Sequence, residues 1–396
     1  MIRAALLVAL LQTILQAAPS TTLVTGEELA GVRLMSATGA TAKLRGPDGW
    51  RTVPTTALAS AAFDANAGDA EAGEPINLYL ENGDRLRGTV TGAGQSLHFN
   101  GIHLKKLVVP LARVRAVRFG RLMGGLQHKY SRVFERELER GRDVVVIQRD
   151  TRPFPIYARV LSVDAGTITV RVGQKKREIE SKRVYGFVQQ VERREPVERI
   201  SLRAHLGAGA RVTLPLESID EDVIRTGETS ISLTTVQRIE FLGGHIAHLS
   251  DFEPIDVSER ALFGEAPRWR RNAMVLGGPL RLDDREWSHG LGVAAYARLE
   301  YVLGGRWSSL FVRCGIDDRA GREGAASFRI LGDGKLLREL TCRRGERSVP
   351  VLLDVSGIDR LVLESDPGES YTSDFCDWVE ARVFNTQPED KEGDSR

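Results

Sequence analysis

The sequence predicts an all-β protein with one inserted helix. Short runs of alternating apolar and polar residues recur along the chain, Gly and Asp turns bound them, and one closing pattern of apolar residues repeats. Alternation with period 2 puts one residue set on a core face and the other in water, the mark of half-buried antiparallel strands. The chain is 396 residues long, 42% hydrophobic and 27% charged, which suits a globular protein with two or three cores. Its net charge is only +2, so no general polyanion-binding field is implied.

At the N-terminus, Arg3 precedes an apolar run from Ala4 to Leu15, followed by Gln16-Ala17-Ala18-Pro19. A basic start, a short apolar segment and small residues predict an export signal over residues 1–18. The expected location is periplasmic or extracellular, and Leu15 leaves an uncleaved anchor open. No later stretch reaches the roughly 18 consecutive apolar residues of a membrane helix.

The closing pattern appears as Val114-x-x-Val117-x-Phe119 and Val236-x-x-Ile239-x-Phe241, and more faintly as Leu58-x-x-Ala61-x-Phe63. Val184-x-x-Phe187 lacks the last aromatic. A single 3₁₀ turn running into a strand is expected to produce this three-then-two step. Upstream lie hairpins: Ile76 to Leu80, the turn Glu81-Asn82-Gly83-Asp84, then Arg85 to Val90; and Ile200 to Ala204, Gly207-Ala208-Gly209, then Arg211 to Leu214. Strand, turn, strand, short strands, 3₁₀ turn, strand is the build of a small SH3-like or Sm-like barrel. Four copies in series are expected, at 20–65, 75–121, 142–192 and 198–244, with a linker at 66–74 rich in Ala, Gly and acids. The helix is expected at 126–141, where Tyr130, Val133, Phe134 and Leu138 share one face.

The last third carries Leu249-Ser250-Asp251-Phe252, Gly290-Leu291-Gly292-Val293, Gly315-Ile316-Asp317-Asp318, Ser327 to Gly334, Val355-Ser356-Gly357 and Asp374 to Trp378. In this order the markers resemble the NPCBM carbohydrate-binding module family. The resemblance implies a jelly-roll sandwich over 249–386, found on exported proteins and glycosidases and non-catalytic, with a tail at 387–396 expected to be disordered. Where the family often carries a His-Ala pair and then a hydroxyl residue, this chain has Ala294-Ala295 and Ala297.

No nucleophile elbow, His-Glu-x-x-His motif or phosphate-binding loop is present. No catalytic residue or required cofactor is therefore predicted. His245-x-x-His248-x-x-Asp251 has ligand-like spacing but reads as a solvated linker lacking a fourth ligand. Asp283-Asp284, Asp317-Asp318 and Asp374 with Asp377 read as turn caps, with a structural Ca²⁺ left open. A sugar site needs an aromatic face ringed by hydrogen-bonding groups. Trp287, His289, Tyr371 and Asp374 are the expected ligand-binding residues, and Trp378 is read as core. The basic groups Lys105-Lys106, Arg113 with Arg115 and Arg118, and Lys175-Lys176-Arg177 read as solvated strand faces, with no nucleic-acid partner. Cys314, Cys342 and Cys376 are compatible with a Cys314–Cys342 bridge or with three free thiols.

The function these observations predict is recognition of a cell-envelope or extracellular glycan by the C-terminal domain, without bond cleavage. A structural or protein-interaction module that has lost its sugar site, with the barrels offering a partner surface, is the alternative. An accessory component of a glycoside hydrolase is the third.

Overall fold

The computed structural model describes residues 19–63, 76–101, 104, 107–119, 126–191, 199–227, 229–261, 266–367 and 375–385. The expected export signal, the linker at 66–74, Lys105-Lys106, Tyr371, Asp374 and the C-terminal tail lie outside them. Among the described residues the fold is all-β with one α-helix, Gln127–Arg140.

Four times the chain makes the same unit. An opening strand (Ser20–Leu23, Leu78–Leu80, Val144–Arg149, Ser201–Leu206) is followed by a second strand and a three-stranded meander. A 3₁₀ turn (Thr55–Ala57, Leu111–Arg113, Ser181–Arg183, Leu233–Thr235) then leads into a closing strand (Leu58–Ala62, Val114–Arg118, Val184–Val188, Val236–Leu242) that pairs antiparallel with the opening one. The 3₁₀ turn lies before the three-residue step rather than inside it. The step itself comes from a register shift between the first and third residues of every closing strand, passing over Ala59, Arg115, Tyr185 and Gln237. A bulge adds one residue and reverses the alternation, so Val114 and Val117 both face inward.

The units are not strung in series. Closing strands pair edge to edge: that of the first unit with that of the fourth (Ile239↔Ala61), and that of the second with that of the third (Val117↔Phe187). The second strands of units two and four then meet at Arg85↔Arg211. One 12-stranded sheet results. The meanders of units one and four also join, through Ser218↔Thr38, into a six-stranded sheet, whereas those of units two and three touch at one bridge, Gly94↔Val163. One apolar core runs through all four units, from Leu34 to Phe241. The helix lays Tyr130 and Phe134 on Tyr185 beside the second pair, and its N-terminal turn is held by a Ser131–Tyr185 hydroxyl bond of 2.6 Å. It ends at Gly141, whose φ of 63° is the left-handed C-terminal cap that glycine favours.

After unit four, the chain turns at Gly243 and Gly244 and forms the strand Ile246–His248, which pairs with Phe375–Phe384. The segment expected to be a solvated linker is therefore sheet: His245 and His248 are buried. The rest is a two-layer sandwich. One sheet orders Arg270–Arg271, Gly290–Ala294, Phe375–Phe384, Ser309–Ile316 and Val349–Asp354; the other orders Asp256–Glu259, Ala297–Val302, Arg360–Pro367, Ala325–Gly332 and Lys335–Arg343. Successive strands largely alternate between the sheets, as in a jelly roll. Ala325–Gly332 shows strict alternation of half-buried and buried residues, and positive φ at Asp333 and Gly334 turns its hairpin. Trp378 fills the core edge-on to Phe328, 4.9 Å between centroids. Cys314, Cys342 and Cys376 are buried and unbridged, and burial pushes the Cys342 thiol up to about 12.

Where units two and three meet, Gly186 has no room for a side chain: a Cβ there would lie 2.3 Å from the Val117 carbonyl oxygen. Gly166 meets nothing within 4 Å. Gly186→Ala is expected to cost about 1–3 kcal/mol, the range for overpacking, and Gly166→Ala to leave stability within about 0.5 kcal/mol; urea unfolding of the two variants measures both.

Candidate functional site

Trp287 ends a hairpin of Leu280–Leu282 and Arg285–Trp287, turned by Asp283 and Asp284 with φ near 60°. Asp283 fixes the turn by accepting from Ser348 N–H at 2.8 Å and Ser348 Oγ at 2.5 Å. The indole is only 6% exposed. Its Nε1 donates to the Leu282 carbonyl at 3.2 Å, the Arg285 guanidinium sits 4.4 Å from the ring centroid and that of Arg313 5.7 Å, and Leu280, Leu282 and Val379 pack on it. Thus covered, it offers no open face to a pyranose ring.

His289 is also buried, and its partner comes from unit four. Its Nε2 lies 2.8 Å from Glu240 Oε2, and His205 Nε2 lies 3.1 Å from the same oxygen. Since a carboxylate only accepts, the hydrogen bond places a proton on His289 Nε2, while His205 stands within ion-pair distance. The ring of His289 stacks on His248 at 3.9 Å. Burial pulls the Glu240 carboxyl up, but His289 and His205 together hold it well below the usual carboxylate range. Burial, aided by His289, keeps His248 neutral far below its ordinary value, and burial alone lowers His245 to about 4. Arg238, Glu380 and Arg382 close the same crevice, whose cavity of about 10 Å³ holds at most one water. Arg382 reaches across to unit one, donating to the carbonyls of Val24 at 3.0 Å and Leu23 at 3.2 Å while stacking on Phe311. Of the four residues expected to bind sugar, Trp287 and His289 are thus buried: His289 bonds to Glu240 of unit four, and Trp287 lines the same crevice.

The other carboxylates gather at one rim of the sandwich. Asp317 and Asp377 are both fully buried and hydrogen-bonded to each other. Burial, then the bond to Asp317, drives Asp377 well above the usual range, so it is the protonated member. Burial raises Asp317 as well, yet bonds from Arg319 and Asp377 leave it lowered. Arg319 also donates to the Pro279 carbonyl, and the Arg281 N–H reaches Asp317 at 3.1 Å. Beside this pair the Asp284 N–H donates to Asp318 at 2.9 Å and Arg344 donates to the Asp318 carbonyl. Asp374 directly precedes Phe375, whose carbonyl accepts the Asp317 N–H at 2.9 Å. Among the described residues no cluster of three or more metal-ligating side chains stands ready for an ion.

Sequence reasoning missed Glu240 and His205. The one available signal was a carboxylate set between Ile239 and Phe241, two core residues, in a closing pattern. Its imidazole partner is 49 residues away, and local spacing carries no trace of that.

The sandwich is a carbohydrate-binding-module-like domain, and residues 247–384 match the NPCBM/NEW2 domain family. Among solved structures, the chain is similar to a CBM51 module of Clostridium perfringens GH95 in complex with methyl-galactose, at 20% identity and a TM-score of 0.32 over 35% of this chain and 99% of that one. It is also similar to the tandem CBM51 modules of a family 98 glycoside hydrolase from Streptococcus pneumoniae, at 13% identity and a TM-score of 0.33 over 61% and 88%. No curated protein matches the chain.

Acid should loosen the junction. Glu240 is charged when folded, so its contribution is present above about pH 4.5 and is lost as pH falls through its lower folded value. His245 and His248 stay neutral when folded while the unfolded chain takes up protons below about 6.5, so stability falls between that value and about 4. Both effects have one sign: melting temperature should drop steadily from pH 7 to pH 5, and a flat profile contradicts the geometry. At the rim, Asp377→Asn keeps a neutral donor and is expected to cost less than Asp317→Asn, which removes the charged acceptor of Arg319; chemical denaturation of the two variants checks the order.

Proposed function

We propose that the chain is an exported, non-catalytic carbohydrate-binding protein whose NPCBM domain recognises a cell-envelope or extracellular glycan, held in place by the four repeated units. The match of residues 247–384 to the NPCBM family carries this reading. The export signal proposed at residues 1–18 agrees with it, and among the described residues no helix is long and apolar enough to cross a membrane. The strand order and the 3₁₀ turn before each closing strand support assigning the units to the SH3-like class.

The outer face of the sheet containing Phe311 and Arg382 is occupied by unit one, through Val24 and Ala59. The contact surface for sugar is therefore assigned to this rim, with Asp284, Asp318 and Arg344 as its polar groups. A carboxylate that accepts beside a guanidinium that donates suits vicinal hydroxyls. Tyr371 and Asp374 remain assigned to the same site by their place in sequence before Phe375, while Trp287 and His289 act in the junction.

A second reading is favoured by one observation: the sandwich already uses a sheet face, with Trp287 and His289 beside it, to bind another part of its own chain. In that case the domain is a structural module without a sugar ligand.

An array of polysaccharides and oligosaccharides probed with the full chain separates the two. Arg344→Ala and Asp284→Asn are each expected to weaken glycan binding about tenfold or more, a loss of roughly 1.4 kcal/mol, at unchanged melting temperature. Trp287→Ala is expected to act through stability, costing about 3–5 kcal/mol. Absence of binding to every glycan selects the structural reading, and turnover of a chromogenic glycoside would overturn the non-catalytic assignment.

A further inference from the structure

The near-zero net charge conceals a strong local imbalance. Residues 141–190, which hold unit three, carry ten Lys and Arg against five Asp and Glu, while the whole chain carries 55 against 53. The excess is organised by strand register. In the meander of unit three, Arg159 on Arg159–Val163 stands opposite Arg171 on Thr167–Val172, which stands opposite Lys176 on Lys175–Glu180. Residues directly opposite in an antiparallel sheet share a face, so three cations form a row across three strands. The core residues Val160, Val170, Ile168 and Val163 fall on the other face. Neighbouring strands lie about 4.8 Å apart, a spacing at which like charges repel.

Arg159 pairs with Asp143 at 3.4 Å and donates to the Gln190 carbonyl at 2.7 Å. Arg171 and Lys176 enter no ion pair among the described residues and are exposed, whereas Arg177, opposite Val170, falls on the other face. The next row on the same face is Ser162, Thr169 and Glu178. Across the bridge Gly94↔Val163, the outward residues of unit two are Thr89, Thr91, His98 and Asn100. The surface is thus cationic at one end and rich in hydroxyl and amide groups beyond it, with one carboxylate between.

We infer that this outer face of units two and three is a docking surface for an acidic polysaccharide, distinct from the rim of the sandwich. Charge complementarity demands an anionic partner, and the accompanying groups choose its class. Hydroxyls and an amide pair with sugar hydroxyls, and no aromatic side chain stands among Ser162, Thr169, Arg171, Lys176 and Glu178 to stack bases, as nucleic-acid surfaces provide. Glu178 within the row opposes a dense phosphate backbone, whereas a polymer with one carboxylate per sugar can place its charges on Arg171 and Lys176 and pass Glu178 with neutral atoms. The inference does not rest on the sugar reading of the sandwich.

The test measures binding of the full chain to polygalacturonate, neutral dextran, single-stranded DNA and anionic phospholipid vesicles. Polygalacturonate is expected to bind, to weaken as salt rises from about 50 to 200 mM, and to be preferred over the other three. The double substitution Arg171→Ser, Lys176→Ser should reduce that binding about tenfold or more and flatten its salt dependence at unchanged melting temperature. Arg344→Ala at the rim should leave it unaltered, which separates failure here from failure of the sandwich reading. No binding to polygalacturonate at low salt, equal or tighter binding to DNA or vesicles, or indifference to the double substitution would each overturn the inference.

Discussion

Edge-to-edge pairing of closing strands is the constraint on which the architecture depends. A unit of some 45 residues is too small to bury much apolar surface alone, and its last strand would present a row of unpaired backbone groups. Joining two closing strands antiparallel removes two such edges at once and merges two small cores into one. The bulge repeated near the start of each closing strand makes this geometry available, because it turns Val114 and Val117, or Val236 and Ile239, to the same side while the strand bends. Pairing is then repeated between the second strands of units two and four. There the buried Asp84 accepts from the Thr213 N–H at 2.8 Å and from Thr213 Oγ1 at 2.7 Å, and burial beside Arg203 and Arg85 lowers Arg211 to about 10.

The sandwich is attached by a different kind of contact. Apolar residues supply part of it, with Phe311 wedged so tightly against Gly26 that a Cβ there would fall 2.0 Å from the ring. The remainder is polar and buried: Glu240 between two imidazoles, Arg382 on the carbonyls of Leu23 and Val24. Buried charges persist only when paired and hydrogen-bonded, so each of these groups specifies one docking arrangement. Because the strand Ile246–His248 belongs to the sandwich sheet and follows unit four almost directly, the domain has little freedom to reorient.

Much of this was legible in the sequence, and the limit of legibility has a physical cause. Alternation in Ala325–Gly332 and Val349–Asp354 announced strands because one face meets a core and the other water. The closing pattern announced a repeat, although a bulge rather than a 3₁₀ turn sets its three-residue step. Tyr130 and Phe134 announced the helix. Which unit pairs with which was not legible, since all four closing strands carry the same apolar pattern and any two could be matched. Trp287 and His289 looked exposed because Ser288 separates them and Arg285 and Glu286 precede them. Arg285, Leu280 and Leu282 cover Trp287 from its own hairpin, but Arg313, Glu240 and His248 come from other elements, and no local window contains those covers. The rim showed the converse: Asp317 and Asp377 were visible as turn-forming acids, but their sharing of one proton follows only from the pairing of Gly315 with Asp377 in the sheet.

Unit one finds its partner strand in unit four, so Ala61 waits for Ile239, nearly two hundred residues further along the chain. During synthesis the first segment emerges long before the strand that completes it, and its free border must remain unmatched meanwhile. Contacts so distant in sequence slow folding and favour aggregation of partly made chains. The order of pairing therefore makes assembly close late, once the fourth repeat exists, and only then can the last domain find the surface formed jointly by the first and fourth repeats.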